Sequence, residues 1–380
     1  MSHNLNILHS TGMLFPTKYG SFEQWLIEVG RQAKSMGNTL YVSYKQDVTG
    51  VDVLSYEAQI NGVNLIVLRN DDEIVTFCME NNISVVHYHF DFQEHDGLYR
   101  ILWRRGIKQF ATIHCECGYY VNHRWKANIK SYFRISGHKV KTWARARYFE
   151  RLFAVSKAIK EQYQKFYFLP GSSIECLYLG IQRIQEPVSK QKNGIPTITC
   201  IAFHSPIKGV DILLEALKIL KDRNIPFRCL QIGGGSSELN GEDTDALKVQ
   251  AQNLGISDCI EWIGVTNDVH QYLRITDIYC QPSRTEAICL SIAEAMENAL
   301  PIVATQVGGV PELVKDGLNG FLVPPGVAAA LADKLEILLT DSGRGHDMGQ
   351  ISKTRLSDMD FFQDRSAKTI LDHYHQVVSE

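Results

Sequence analysis

The sequence predicts an α/β protein made of two αβα domains, each built around its own parallel sheet. Three observations carry this. Short β-branched runs alternate with stretches of helical apolar spacing along the whole chain. The alternation breaks once, over 185–196, a polar stretch carrying Pro187, Gly194 and Pro196, and then restarts. The length, 380 residues, exceeds what one hydrophobic core usually supports.

In the first half the strand candidates are 5–9, 40–43, 65–68, 85–89, 110–113 and 152–155. Helices are expected over 22–36, where Phe22, Trp25, Leu26, Val29 and Ala33 recur at helical spacing, and over 72–80. After the break, 197–202, 227–232, 277–281 and 301–304 read as buried strands. Residues 210–221, 328–339 and 366–377 read as helices. The expected domains are 1–185 and 186–360, with a closing segment 361–380. In open sheets of this kind, ligands sit outside the carboxyl ends of the strands.

Composition excludes several classes. Apolar residues at 44% and charged residues at 21% are ordinary for a soluble globular chain. A net charge of -3 gives no global case for nucleic acid. The polar start predicts no signal peptide, and no apolar stretch is long enough to span a bilayer. Nine scattered cysteines suit buried free thiols in a reducing cytoplasm better than a disulfide framework. Cys115 and Cys117 flank no second ligand cluster, so no metal site is expected.

One stretch departs in charge. Residues 121–151 hold nine Lys or Arg against Glu150, interleaved with aromatics such as Trp125, Tyr132, Phe133 and Trp143. Three readings stay open: a solvated helical face, a surface for anionic lipid, or a patch for a charged acceptor.

The strongest chemical signal is Pro282-Ser-Arg-Thr-Glu-Ala-Ile-Cys-Leu-Ser-Ile-Ala-Glu-Ala-Met296, in which Glu286 and Glu294 bracket seven residues. It follows a strand and enters a helix expected to begin near Cys289. A helix N-terminus offers free N–H groups and a positive dipole end, so the amides of Ala287, Ile288, Cys289 and Leu290 suit a diphosphate held without metal. Glu294 suits a pair of ribose hydroxyls, because a carboxylate accepts two hydrogen bonds, and Glu286 would face a sugar. A second signal is Val307-Gly-Gly-Val-Pro-Glu312, where Gly308 and Gly309 allow a tight strand-to-helix turn. The third is Lys208-Gly209 at a helix start, a cation placed to reach a phosphate.

In this order the three motifs resemble the family-4 glycosyltransferases, retaining enzymes of the GT-B fold. The resemblance covers almost the whole chain and is densest over 208–325. It implies two Rossmann-like domains facing each other across a cleft, with 361–380 a last helix that crosses back to the first. It implies a nucleoside diphosphate sugar as co-substrate, uridine being the commonest base, with no cofactor and no metal. The acceptor would be a saccharide or a lipid-linked saccharide. Tyr19-Gly20-Ser21 resembles the glycine loop that meets the diphosphate, and His114 in Thr112-Ile-His matches the active-site histidine. Phe153-Ala-Val-Ser156 matches a serine near the cleft, while Leu179 stands where an asparagine is usual.

One departure matters. The arginine usual five or six residues before the Lys-Gly is absent, its positions being Phe203 and Ala202. His204 and Arg284 are the candidates to replace it. Losing a bidentate phosphate contact is not neutral, so an altered donor, weaker donor binding and a catalytically silent relative all stay open. A sugar-nucleotide epimerase of the same architecture is the alternative enzyme class. A dehydrogenase is disfavoured, because His9-Ser-Thr-Gly-Met carries no dinucleotide fingerprint.

Overall fold

The computed structural model describes residues 4–13, 20–45, 53–90, 95, 97–115, 141–184, 194–235 and 242–380. Tyr19, Cys117, most of the basic stretch (121–140) and most of the polar break (185–193) lie outside the described residues. The chain divides into two compact units, Met1–Gln182 with Phe362–Glu380, and Arg183–Phe361.

The first unit holds a seven-stranded sheet: β1 (Asn6–Ser10), β2 (Thr39–Tyr44), β3 (Val63–Val67), β4 (Val85–His89), β5 (Lys108–Ile113), β6 (Arg151–Ala154) and β7 (Ile174–Cys176). Their order is β3-β2-β1-β4-β5-β6-β7, and every pairing is parallel. The strands are buried almost throughout, polar side chains such as His9, His87 and His89 included. Helix Ser21–Ser35 forms where expected and buries Trp25, Leu26, Val29 and Ala33. Ser156 caps helix Lys157–Tyr167 by accepting from the Ile159 N–H at 3.1 Å, a contact worth about 1 kcal/mol.

The closing helix, Gln363–Ser379, belongs to this first unit. Its Ser366 Oγ accepts from Trp25 Nε1 at 2.9 Å and donates to the Leu179 carbonyl at 2.5 Å. Tyr374 is fully buried against the sheet, its ring 4.9 Å from that of Phe110.

The second unit holds β8 (Thr197–Ile201), β9 (Arg228–Ile232), β10 (Ile260–Gly264), β11 (Ile278–Gln281), β12 (Ile302–Thr305) and β13 (Gly320–Val323). All six are parallel, in the order β10-β9-β8-β11-β12-β13. Both sheets therefore run outward from their first strand and reverse once, between β1 and β4 and between β8 and β11. Two Rossmann-like parallel-sheet units result, and in each the reversal opens a crevice at the carboxyl ends of the strands.

Helix Ser342–Asp358 is not announced by the sequence, because Gly343, Gly345 and Gly349 weaken its helical signal. Packing explains one of them. A Cβ on Gly349 would lie 2.2 Å from the Ala299 carbonyl oxygen. The helix accepts a poor helix former in exchange for close approach. No helix among the described residues is long and apolar enough to cross a membrane.

Candidate functional site

In the second unit the sequence-predicted residues gather at the β8/β11 reversal. β8 leads through Ala202 and Phe203 to the turn Pro206–Lys208, and β11 leads through Pro282 and Ser283 to Glu286. These two loops are tied by the Arg284 N–H donating to the Ile207 carbonyl at 2.7 Å. Gly209 lies between them at φ +67, where a Cβ would sit 2.1 Å from the Pro282 carbonyl oxygen. Only glycine lets Lys208 approach the β11 loop this closely.

The consequence is an ion pair. Lys208 Nζ donates to Glu286 Oε1 at 2.7 Å, with Glu286 buried and Lys208 partly exposed. Burial works to lower the lysine's pKa, but the Glu286 carboxylate, with Cys289 and Cys200 adding to it, offsets this, so the net shift is upward and the ammonium stays charged. The same carboxylate oxygen accepts from Ser283 Oγ at 2.8 Å. Behind Ser283 stands a buried chain in which Tyr279 donates to Gln281 at 2.7 Å and Gln281 donates to Ser283 at 2.9 Å. Glu286 is thus held from the core side and the solvent side together. Its backbone carbonyl accepts from the Gly309 N–H at 3.4 Å, which joins the Gly308-Gly309 motif to the same place.

The helix after Glu286 begins at Leu290, with Cys289 as its N-cap. Ala287, Ile288 and Cys289 therefore precede the helix. The N–H groups of Ala287, Ile288, Cys289, Leu290 and Ser291 make no hydrogen bond within the described residues. The Cys289 side chain offers no cap bond to them. A row of unpaired donors at a helix N-terminus is an anion-binding arrangement. Glu294 lies one turn in, half-buried, its carbonyl accepting from Asn298.

The two candidates for the absent arginine part company. Arg284 commits its guanidinium to Asp211 at 2.8 and 2.6 Å and to the Pro206 carbonyl at 2.6 Å. His204 is buried, with Nδ1 at 2.6 Å from Thr244 Oγ1, while its Nε2 is buried without a partner. Thr244 Oγ1 already accepts from the Gly235 N–H at 3.0 Å. The hydroxyl keeps a second lone pair and its own hydrogen, so it pairs with His204 Nδ1 in either tautomer, and Nε2 is the ring nitrogen left for a ligand.

In the first unit His114 follows β5. Gly20 caps helix Ser21–Ser35, and its N–H is taken by Glu23 Oε2 at 2.9 Å, as in a capping box. That amide is engaged in the cap. The Ser21 carbonyl accepts from Gln363 Nε2 at 2.9 Å.

Sequence reasoning singles out His114 alone, but the structure surrounds it with three more histidines. His9 lies opposite His87 in the β1–β4 register. His87 and His89 alternate along β4, so both point to one face. His89 Nδ1 lies 3.0 Å from His114 Nε2, and His89 Nε2 lies 3.1 Å from His9 Nδ1. Tyr374 Oη bridges His9 Nε2 at 3.0 Å and His87 Nδ1 at 2.6 Å. His87 Nε2 ends the chain on Thr112 Oγ1 at 2.7 Å. Burial pushes His9 and His114 down to about 3. It holds His87 and His89 well below the usual range, with the neighbouring histidines adding to the effect. His9, His87 and His89 bring nitrogens close enough for a metal. However, the His87 and His89 rings stack at 4.5 Å and 13°, which directs their lone pairs side by side rather than toward a common ion.

The cysteines Cys78, Cys200, Cys229, Cys280 and Cys289 are buried free thiols, and burial pushes Cys78, Cys229 and Cys289 up to about 12. Such thiols are inert.

Residues 182–355 match the family model described as glycosyl transferases group 1. A D-inositol 3-phosphate glycosyltransferase of Corynebacterium jeikeium is 31% identical over 188 residues, 48% of this chain and 45% of its own. The amylovoran biosynthesis glycosyltransferase AmsK of Erwinia amylovora is 33% identical over 143 residues, 36% of this chain and 34% of its own. The match to these curated relatives therefore spans less than half of their length. The sucrose-phosphate synthase of Thermosynechococcus elongatus shares the fold with TM-score 0.79 and 16% identity, covering 99% of this chain and 100% of its own. Anabaena HepE in complex with UDP does so with TM-score 0.78 and 17% identity, covering 97% and 99%. These structures establish the GT-B type of architecture.

Proposed function

We propose that this chain, whose residues 182–355 match the model of the group 1 glycosyltransferases, moves a sugar from a nucleoside diphosphate sugar to an acceptor hydroxyl with retention of configuration. The observation that carries the reading is the Lys208–Glu286 pair beside five unpaired amides at the β8/β11 reversal.

Heterolysis of the donor builds negative charge on the leaving diphosphate. The amides of Ala287, Ile288, Cys289, Leu290 and Ser291 and the Lys208 ammonium are preorganised to receive it, and no divalent ion is called for. As the donor enters, Lys208 exchanges Glu286 for a phosphate oxygen. The freed Glu286 oxygen, still backed by Ser283, then accepts from hydroxyls of the transferred sugar. Glu294 takes the ribose. The leaving phosphate oxygen accepts the acceptor's proton on the same face, which preserves the anomeric configuration. In the first unit, His114 is assigned to a saccharide hydroxyl.

UDP is the favoured donor nucleotide, since HepE is a protein of this fold in complex with UDP. A saccharide or lipid-linked saccharide in polysaccharide or glycolipid precursor synthesis is the favoured acceptor, in keeping with the amylovoran relative. The basic stretch suggests an anionic membrane surface. Its described part exposes Trp143 and sets Arg147 over the Tyr148 ring at 5.3 Å. Pelleting with anionic but not neutral liposomes is the expected result, and equal pelleting with both rejects the membrane reading.

Phe203, where the usual arginine is missing, favours one second reading, a silent nucleotide-sugar-binding subunit. A thermal-shift screen of nucleoside diphosphates and their sugars, followed by product analysis with and without acceptor, separates the readings. Transfer only with acceptor supports the proposal. Product from donor alone points to the epimerase, and stabilisation without turnover to the silent subunit.

A further inference from the structure

The histidine array of the first unit does more than fill space, because its hydrogen bonds form one unbranched chain. From the inside outward it runs Thr112, His87, Tyr374, His9, His89, His114, with every link between 2.6 and 3.1 Å. All but His114 are buried. A neutral imidazole has one N–H and one lone pair. With the buried Tyr374 hydrogen given to one of its two histidines, each link fixes the next and the chain runs in one of two directions.

The two directions differ at the buried end. If protons point outward, Thr112 donates to His87 Nε2, His87 Nδ1–H to Tyr374, Tyr374 to His9 Nε2, His9 Nδ1–H to His89 Nε2 and His89 Nδ1–H to His114 Nε2. Every buried donor is then satisfied. If protons point inward, His87 Nε2–H donates to Thr112, whose own hydroxyl hydrogen is left without an acceptor in the core, since the structure gives Thr112 Oγ1 no other partner. An unpaired buried donor is disfavoured strongly enough for the outward direction to dominate.

We infer that this relay fixes His114 as the Nδ1–H tautomer, so that it meets its ligand as a hydrogen-bond donor to a saccharide oxygen and not as a base. The geometry on the outer side agrees. His114 Nε2 is occupied by His89, its ring stacks on Phe90 at 4.1 Å and 20°, and Nδ1 makes no hydrogen bond among the described residues. A flip of the stacked ring would put a carbon where Nε2 meets His89 Nδ1 and lose that hydrogen bond. Burial keeps all four rings neutral, as the relay requires. His9, His87, His89, Thr112 and Tyr374 are positioning residues in this scheme, and Tyr374 brings the closing helix into it. The inference rests on the assignment of His114 to a saccharide made above.

Ring-nitrogen correlation spectra of the full chain with ¹⁵N-labelled histidine test it, with His114→Gln identifying the resonance. The expected wild-type result is a protonated Nδ1 and a bare Nε2. Thr112→Val, which removes the hydroxyl, and Tyr374→Phe, which cuts the relay, should each populate the other tautomer and lower transfer kcat/KM about three- to tenfold. Thr112→Ser restores both readouts relative to Thr112→Val. A wild-type His114 protonated on Nε2 overturns the inference, and so does a Thr112→Val spectrum unchanged at His114. Should the spectra behave as stated while His114→Ala transfers sugar at the wild-type rate, the relay survives and the assignment of His114 to the saccharide falls.

Discussion

The two units share one strand order over six strands and fill the corresponding crevice of each sheet with opposite chemistry. At the β1/β4 reversal the first unit places neutral rings, four histidines and a tyrosine hydrogen-bonded to one another. At the β8/β11 reversal the second unit places a charged pair and a row of bare amides. On the proposed function, charge serves where a diphosphate is held and its growing charge stabilised. Neutral donors and acceptors would serve where hydroxyls are oriented without strong electrostatic pull. The difference between the two units lies in a few loop and strand-end residues rather than in the scaffold.

The sharpest way to break this contrast is to remove the charge. Lys208→Ala and Glu286→Gln should each lower kcat by about 10²–10³-fold, the usual cost of losing one preorganised charge-stabilising group. Circular dichroism should show both variants folded, since Ser283 still donates to residue 286 and Lys208 is partly exposed. Wild-type turnover by purified Lys208→Ala sinks the glycosyl-transfer mechanism.

The second prediction uses pH to separate the units. A histidine held below its ordinary pKa binds fewer protons folded than unfolded, so its stability is fully present above pH 6.5 and is lost as pH falls toward 3. His87 and His89, held well below the usual range, act in the same direction as His9. Lys208 behaves oppositely. Its pKa is raised, so its contribution is complete below 10.5 and is lost only as pH rises beyond it. Urea unfolding followed by hydrogen exchange should show the first unit melting first in mild acid and the second holding. Loss of both units at one acid pH breaks the comparison.

How much of this contrast is legible in the sequence follows from distance along the chain. Lys208-Gly209 and Glu286 announce themselves because turn glycines and a helix start are local signals. That they form an ion pair is not legible, since the pair spans 78 positions and depends on β8 lying beside β11. The relay is hidden for the same reason. His87-x-His89 does show two histidines on one strand face. Nothing local brings His9 opposite His87, and Tyr374 arrives from 287 residues away. The sequence points to four amides, Ala287 to Leu290, at a helix terminus; the fifth, Ser291, depends on where the helix starts, and ends are the least readable part of an element.

A smaller effect tests the scaffold under the charged site. Gly209→Ala places a Cβ against the Pro282 carbonyl at a positive φ. It should cost about 1–3 kcal/mol of stability, measured by urea unfolding. It should also weaken nucleoside diphosphate binding, because Lys208 rides on that turn. Gly106→Ala, also at a positive φ but with open space around it, is the control in the first unit. Equal losses of stability at the two sites would mean that backbone conformation, and not the close approach to Pro282, sets the cost.

The smallest expected effect concerns His204, where the second unit carries a first-unit kind of group, a buried imidazole held neutral by burial. Its buried Nε2 has no partner, which costs stability, whereas its Thr244 bond contributes. The two terms oppose each other, so His204→Leu should change unfolding free energy by less than about 1 kcal/mol. If the donor's phosphate or ribose pairs with Nε2, calorimetry should find UDP binding weakened about three- to tenfold in the same variant. Unchanged affinity would return the phosphate to Lys208 and the amides alone. It would make the absent arginine at Phe203 a true loss of donor binding rather than a replacement, and the neutral histidine a feature that only the first unit puts to use.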